Sequence, residues 1–344
     1  MAVVEEGARA VAATNARRGW WLLGCVALLV VVCALSLVFG AKDIDLATVW
    51  NALWRNTGAY DHNIITEQRI PRTVLGLLTG AALGVSGAVI QAVTRNPLAD
   101  TQVLGLNAGA GLFVVFAIGT LGLTGIWSYL WFAFLGVAVA GTAVYALGSV
   151  GRGGGTPIRL TLAGIALGAV MEGVSSGIRL VRPRAFDYLR FWDAGALSGR
   201  PMGIAVAIAP FVGAGLVLAL LVARSLNAVA LGDDLARSLG ANVIRTRLLS
   251  VLSVTLLAGA ATAAAGPIGF VGLMVPHAVR WLVGPDQRWI LAFTMVCGPI
   301  LMLCADIAGR LVLPQAELAV GIVTAFAGAP VLIWLVRRTK AVAP

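Results

Sequence analysis

Ten apolar stretches, each about as long as a bilayer is thick, occupy most of this 344-residue chain. They run over 20–40, 73–93, 103–123, 128–149, 160–181, 202–223, 248–266, 268–283, 289–309 and 318–336, the 268–283 piece being short. A crossing helix takes ~20 mainly apolar residues. Lipid offers no partners for backbone amides, so such segments must satisfy them internally and are helical. The expected fold class is all-α, a polytopic membrane protein of ten transmembrane helices.

Composition agrees. Hydrophobic residues make up 59% and charged residues 12%, against roughly 25% charged in soluble domains. Segment 128–149 carries no charge at all, which excludes an amphipathic soluble core there. Arg17 and Arg18 precede a span too long for a signal-peptide core, and no clean small-residue cleavage site follows. Cys25, Cys33, Cys297 and Cys304 all fall inside spans without metal-ligand spacing and are expected to pack. The formal charge of +10 is accounted for by basic residues at membrane boundaries, with no nucleic-acid partner implied.

Placing the N-terminus inside puts the tail before 20, then 94–102, 150–159, 224–247, 284–288 and the C-terminus in the cytoplasm. These segments hold the larger share of Lys and Arg, with Arg337, Arg338 and Lys340 beside the last span. The expected organisation is a cytoplasmic tail over 1–19, a membrane domain over 20–336 and a second cytoplasmic tail over 337–344.

Small residues recur at helix-packing intervals. Gly76, Gly80 and Gly84 form a ladder, and Gly105/Gly109 and Gly164/Gly168 repeat it. Such spacing lets backbones approach closely in lipid. The run GAALGVSG at 80–87 is echoed by GAATAAAG at 259–266, in spans crossing in opposite directions. That is the pattern of an inverted repeat, although a chain rich in Gly and Ala also produces such echoes unaided.

Polar islands interrupt the apolar background. Residues 224–247 form the longest cytoplasmic loop. Asp233 and Asp234 suit the first turn of a short helix, Asp233 and Arg237 are four apart on one face, and Gly240 suits its end. The element is either a docking surface or a solvated connector. On the outer side, Arg69 and Arg72 flank Ile70-Pro71, and Arg310 lies four residues after Asp306, a spacing that suggests a local bridge of small worth. The three arginines are either snorkelling anchors or an exposed fork for carboxylates on a soluble partner. Arg179, Arg182, Arg184, Arg190 and Arg200 surround Phe191-Trp192, which reads as an interfacial segment with Trp192 at headgroup level.

Glu172 is an acid well inside a span, ~18 Å along the helix from Leu160. Thr161, Gly168, Ser176 and Arg179 fall near its face at helical periodicity. The set is either one side of a translocation path or a packing contact. The Gly-rich run at 151–155 lacks the lysine and strand of a phosphate loop, so ATP hydrolysis by this chain is not expected. With only His62 and His277 and no His/Cys/acid cluster, no metal site is expected either.

Four stretches together resemble the iron-siderophore and vitamin B12 permease family of bacterial ABC importers. They are RIPR at 69–72 with GAALGVSGAVIQAVTRNPLADTQVLGLNAGA at 80–110, VALGDDLARSLG at 229–240, GPIGFVGLMVPHAVRWLVGPDQR at 266–288, and ADIAGRLVLPQAELAVGIVTAFAGAPVLIWLV at 305–336. The resemblance implies a ten-helix permease bundle of the type II importer kind in a bacterial plasma (inner) membrane, both termini cytoplasmic. It implies pairing with a second copy or a paralogue, two ABC ATPase subunits below, and a periplasmic or lipoprotein substrate-binding protein above. ATP and Mg would be bound by the ATPase, and no cofactor by this chain.

By the same likeness, Arg69, Arg72 and Arg310 match arginines that meet the binding protein. Leu231, Gly232, Asp233, Arg237, Leu239 and Gly240 lie in the loop that matches the coupling helices. The span holding Glu172 looks like the one lining the path, and His277 belongs to a structural motif. The chain departs from the family pattern at Gln102 and Ala319, where proline is usual. The expected cargo is a ferric siderophore, with cobalamin or haem as alternatives. Rival classes are an ion-coupled secondary transporter with Glu172 as relay, and a membrane enzyme.

Overall fold

The computed structural model describes residues 2–340 apart from 41, 43, 56, 150–156, 183–185, 187–188, 190–191 and 314–315. The glycine-rich run at 151–155 and residues Arg184, Arg190 and Phe191 therefore lie outside the described part, as does the end of the C-terminal tail. The described residues are helical or irregular, with no strand among them.

Seven helices are long and apolar enough to cross a membrane. They are α1 (Ala2–Val38), α3 (Tyr60–Thr94), α5 (Ile126–Ser149), α6 (Pro157–Val181), α7 (Met202–Ala230), α9 (Val243–Ala265) and α11 (Gln287–Leu311). Three more apolar helices are shorter or have a shorter apolar part: α4 (Leu106–Gly119), α10 (Val271–Val283) and α12 (Val320–Lys340). Each of the ten expected stretches has a helix, but 103–123 and 268–283 shrink to 14 and 13 residues. Helices α1 and α12 run unbroken through residues 19–20 and 336–337.

Two short helices lie outside this set: α2 (Leu46–Trp54) and α8 (Asp233–Ser238). Helix α2 is absent from the expected spans, although its start is marked by Asp45, whose carboxylate accepts from the Thr48 amide as an N-cap.

Helix α3 is the axle of the bundle. After a first α-turn, Tyr60–Asn63, it passes through a π-type segment, Ile64–Arg69, in which the Ile70 amide reaches back to Ile65. Pro71 follows directly and has no N–H to donate, so the wider turn forms where an α-type bond is missing in any case. The glycine ladder then meets α11 face to face. A Cβ on Gly80 would stand 2.6 Å from Pro299 Cα, one on Gly76 2.6 Å from Leu303, and one on Gly84 2.9 Å from Thr294. One turn further, Gly87 abuts Gly272 of α10. Backbones this close gain dispersion contact that no larger residue permits.

The short helices end in irregular joints at 95–105 and 266–270 that are tied to one another. Asp100 accepts from the Phe270 amide at 3.3 Å, Asn107 donates to the Ile268 carbonyl at 3.1 Å, and Gln91 donates to the Gly272 carbonyl at 2.9 Å. Non-helical backbone inside a membrane bundle needs such partners. The echo between 80–87 and 259–266 has a counterpart here: α3–joint–α4 and α9–joint–α10 are each a long helix, a break and a short helix. Arg95 at the end of α3 and Arg247 near the start of α9 both bond Asp233, so the two long helices run in opposite directions.

The segment expected at headgroup level is a core element. Trp192 is buried and its indole N–H donates to the Ala263 carbonyl at 3.1 Å. The chain after α6 turns back inward: the Ala196 amide bonds Ala265, and the Gly321 amide bonds Gly195.

Candidate functional site

Three regions carry polar side chains against this apolar frame, one at each end of the bundle and one on its open side. At the first end the three arginines do not form an exposed fork. The Asp306 carboxylate, 1% exposed, sits between Arg72 and Arg310. Arg72 donates to it through Nε and Nη2, the latter at 2.8 Å, and reaches Glu317 through Nη1 at 2.6 Å. Arg310 bonds Asp306 and caps the end of α1 through the Ser36 and Phe39 carbonyls, at 2.9 and 3.0 Å. Arg69 does the same for Leu37 and Val38, both at 2.6 Å, and for Lys42.

The Asp306–Arg310 pair is therefore no surface bridge of small worth. It is buried, and stripping one member of such a group costs ~3–5 kcal/mol. The reason is positional: α1 ends beside both arginines, and its last carbonyls have no partners within the helix. Arg69 and Arg310 build this end of the bundle, while Arg72, with the half-exposed Glu317, lies nearest its surface.

At the opposite end α8 forms as its composition demands. Asp233 and Asp234 occupy its first turn and Gly240, at φ +80°, follows its end. The expected Asp233–Arg237 pair is not formed. Arg237 bonds Asp234 at 2.9 Å, and Asp233 takes Arg247 at 2.9 Å together with Arg95. As the first residue of a six-residue helix, Asp233 faces back to where α3 ends and α9 begins, and both cations converge there. Its slight burial pushes the carboxyl up, but the Arg95 hydrogen bond and the charges of Arg247, Arg95 and Arg237 outweigh this and hold it below the usual carboxylate range. Leu231, Leu235 and Leu239 lie four apart and all are exposed, giving one apolar stripe pointing away from the bundle.

The third region is the open face of α6. Glu172, with a side chain 60% exposed, bonds Arg179 at 2.8 Å, and Arg179 also bonds Asp193. Ser176 is exposed beside it. The expected stripe divides, however. Gly168 lies against α4, where a Cβ would be 3.6 Å from Gly105 Cα, and Thr161 is partly covered. Glu172 and Ser176 share the open face, and Gly168 belongs to the helix contact. Beyond Asp193 a groove of about 320 Å³ is lined by Gln102, Pro267, Gly269 and Phe326. Asp193 and Gln102 carry no signal in the sequence pattern, because each reaches its place through an irregular joint that helical periodicity does not address.

His277 stacks edge-on against Trp281, ring centroids 4.9 Å apart, and Trp281 does so against Trp334 of α12 at 5.3 Å. That role is packing. The four cysteines are unpaired and partly covered or exposed.

The model of the FecCD transport family matches residues 28–338. The chain belongs to the FecCD transport family. It is 48% identical over 316 residues to the ferric enterobactin transport system permease protein FepD of Escherichia coli (strain K12), covering 92% of this chain and 94% of that one. The protein named "Probable siderophore transport system permease protein YfiZ" of Bacillus subtilis (strain 168) is 38% identical, with 93% and 96% covered. The hemin transport system permease protein HmuU of Yersinia pestis is 35% identical, with 93% and 96% covered. Among solved structures, an inward-facing protein assigned to the metal-chelate type of ABC transporter superposes with a TM-score of 0.76 at 25% identity, covering 92% of this chain and 99% of that one. The chain is thus a transport permease of this family with a matching fold.

Proposed function

We propose that this chain is the membrane subunit of an ATP-driven importer of ferric siderophores in a bacterial plasma membrane. The likeness to the ferric enterobactin permease over nearly the full length of both chains carries this reading. Two copies, or this chain and a paralogue, enclose the path. The open face of α6 supports that arrangement, since Gly173 and Gly177 meet nothing within 4 Å and flank Glu172 and Ser176. A second bundle covers this face and leaves Glu172, Ser176 and the Gln102–Asp193 groove beside the path between them.

The power comes from elsewhere. Two ATPase subunits, holding ATP and Mg, bind at α8, where Leu231, Gly232, Leu235 and Leu239 enter a groove on each. The tie from Asp233 to Arg95 and Arg247 passes their closure into α3 and α9. A substrate-binding protein docks at the opposite end, where Arg72 presents the basic contact and Arg69 and Arg310 hold it in place. Both termini then lie on the ATPase side, and all ten apolar helices belong to the membrane domain.

The test is ATP-driven uptake of ferric enterobactin by vesicles containing this chain with its ATPase and binding protein. Uptake dependent on both partners is expected. Accumulation by the chain alone would end the proposal in favour of an ion-coupled carrier, and uptake of hemin or cobalamin in place of the ferric chelate would correct the cargo.

A further inference from the structure

Helix α1 is secured very differently at its two ends. Its C-terminal carbonyls are caught by Arg69 and Arg310, yet only 11% of its apolar window is buried in the bundle. Its 37 residues run ~55 Å, well beyond a hydrocarbon layer of ~30 Å. Counting ~20 residues back from Val38 places the second boundary near Arg18. Trp20 and Trp21 are exposed there, as expected of aromatic side chains at a membrane interface.

At this level Asn15 of α1 accepts from the Trp289 indole N–H of α11 at 3.2 Å, and beside that contact lies a groove of about 310 Å³, in which Arg17, Arg18 and Trp21 face Val283 and Gly284 at the end of α10. The groove lies at the α8 end, because Asn227 near the end of α7 bonds Asp286, two residues past Gly284. Arg18 has one weak contact, to Asn15 at 3.4 Å, and no described residue partners Arg17. One turn before Gly284, Arg280 ends in a buried nitrogen with no partner among the described residues. Asp286, two residues past Gly284, is engaged by Asn227 and by Arg288. Cationic side chains thus collect at a boundary with no free carboxylate beside them among the described residues, next to a slot floored by backbone and walled by indole.

We propose that this groove holds the phosphate of an anionic phospholipid, which adds to the Asn15–Trp289 bond in clasping α1 to the turn between α10 and α11. The phosphate takes the Arg17 and Arg18 guanidinium groups, as basic pockets between membrane helices take acidic headgroups. Its acyl chains lie along the poorly covered side of α1, and Trp21 packs against the glycerol region. A lipid is the fitting occupant because the groove opens at the bilayer boundary and continues into the Trp20, Trp21 and Leu28 surface of α1.

The full-length chain in nanodiscs tests this. Phosphatidylglycerol in a phosphatidylcholine background should raise its thermal midpoint, and native mass spectrometry should find retained phosphatidylglycerol. In Arg17→Gln/Arg18→Gln retention should fall about fivefold for each arginine removed, while Arg17→Lys/Arg18→Lys keeps most of it. Equal midpoints in neutral and anionic discs would overturn the proposal on the wild type alone, whatever the folding of the variants. Equal retention by the glutamine pair would overturn it too, as would inorganic phosphate in neutral discs raising the midpoint as far as the lipid does.

Discussion

Helices α3 and α6 are near twins in sequence terms, two long apolar segments with glycines at helical spacing, yet they serve opposite ends. In α3, 83% of the most apolar window is buried, and in α6 only 17%. Gly80 and Gly87 of α3 abut backbone of α11 and α10, while Gly173 and Gly177 of α6 meet open space. The α3 ladder is finished within one chain. That of α6 is finished only at Gly164 and Gly168, which meet the backbone leading into α4, while Gly173 and Gly177 wait for another surface. In a membrane protein, then, a glycine stripe announces close approach without saying whether the approaching helix belongs to the same molecule.

Substitution should separate the two most sharply. Gly80→Leu would drive a side chain into Pro299 backbone and should abolish folded protein, beyond the ~1–3 kcal/mol usual for overpacking. Gly173→Leu should leave the single chain folded and reduce pairing with a second permease. Monodispersity and cross-linking in detergent report both, and equal damage at the two sites would erase the distinction.

Next in size is the Asp306 knot that anchors α3. Asp306→Ala strands Arg72 and Arg310 in a buried setting and should cost ~3–5 kcal/mol, visible as a lowered thermal midpoint. Charge reversal of Arg72 should weaken docking of the binding protein by more than it lowers that midpoint. Unchanged affinity would remove Arg72 from the docking surface.

At the α8 end the expected effect is a pH dependence. The folded carboxyl of Asp233 lies below its unfolded value. Its contribution is fully present above the usual carboxylate pKa and lost only as pH falls through the lower folded one. Proteolysis of the 224–247 loop should stay slow from neutral pH down to the ordinary carboxylate range, then quicken, and Asp233→Asn should be cut faster already at neutral pH.

The smallest change belongs to α6. Glu172→Gln removes an exposed pair with Arg179 and should shift stability by ~0–1 kcal/mol while altering uptake. Uptake at the wild-type rate would mean that this face does not see the cargo.

These contrasts also mark how far the sequence could be read. Positions of the apolar helices, the glycine ladder and the α8 caps follow from local rules, because lipid and chain geometry act over one or two turns. The shortened α4 and α10 do not, since their joints survive inside the bundle only through bonds between Asp100, Asn107 and Gln91 and backbone over 160 residues away. The same limit hid the Asp233–Arg95 tie, and it made Arg69 and Arg310 look like surface residues when they are the caps of α1.

That capping sets a timetable for manufacture. Arg310 grasps the Phe39 carbonyl across 271 positions of chain. A ribosome feeding this polypeptide into the membrane delivers α1 first and its fastener almost last. Until then Arg69 alone holds the end of that helix, and a product cut short before α11 never gains the second clasp. Quality control that senses a half-fastened first helix would therefore recognise nearly every incomplete copy.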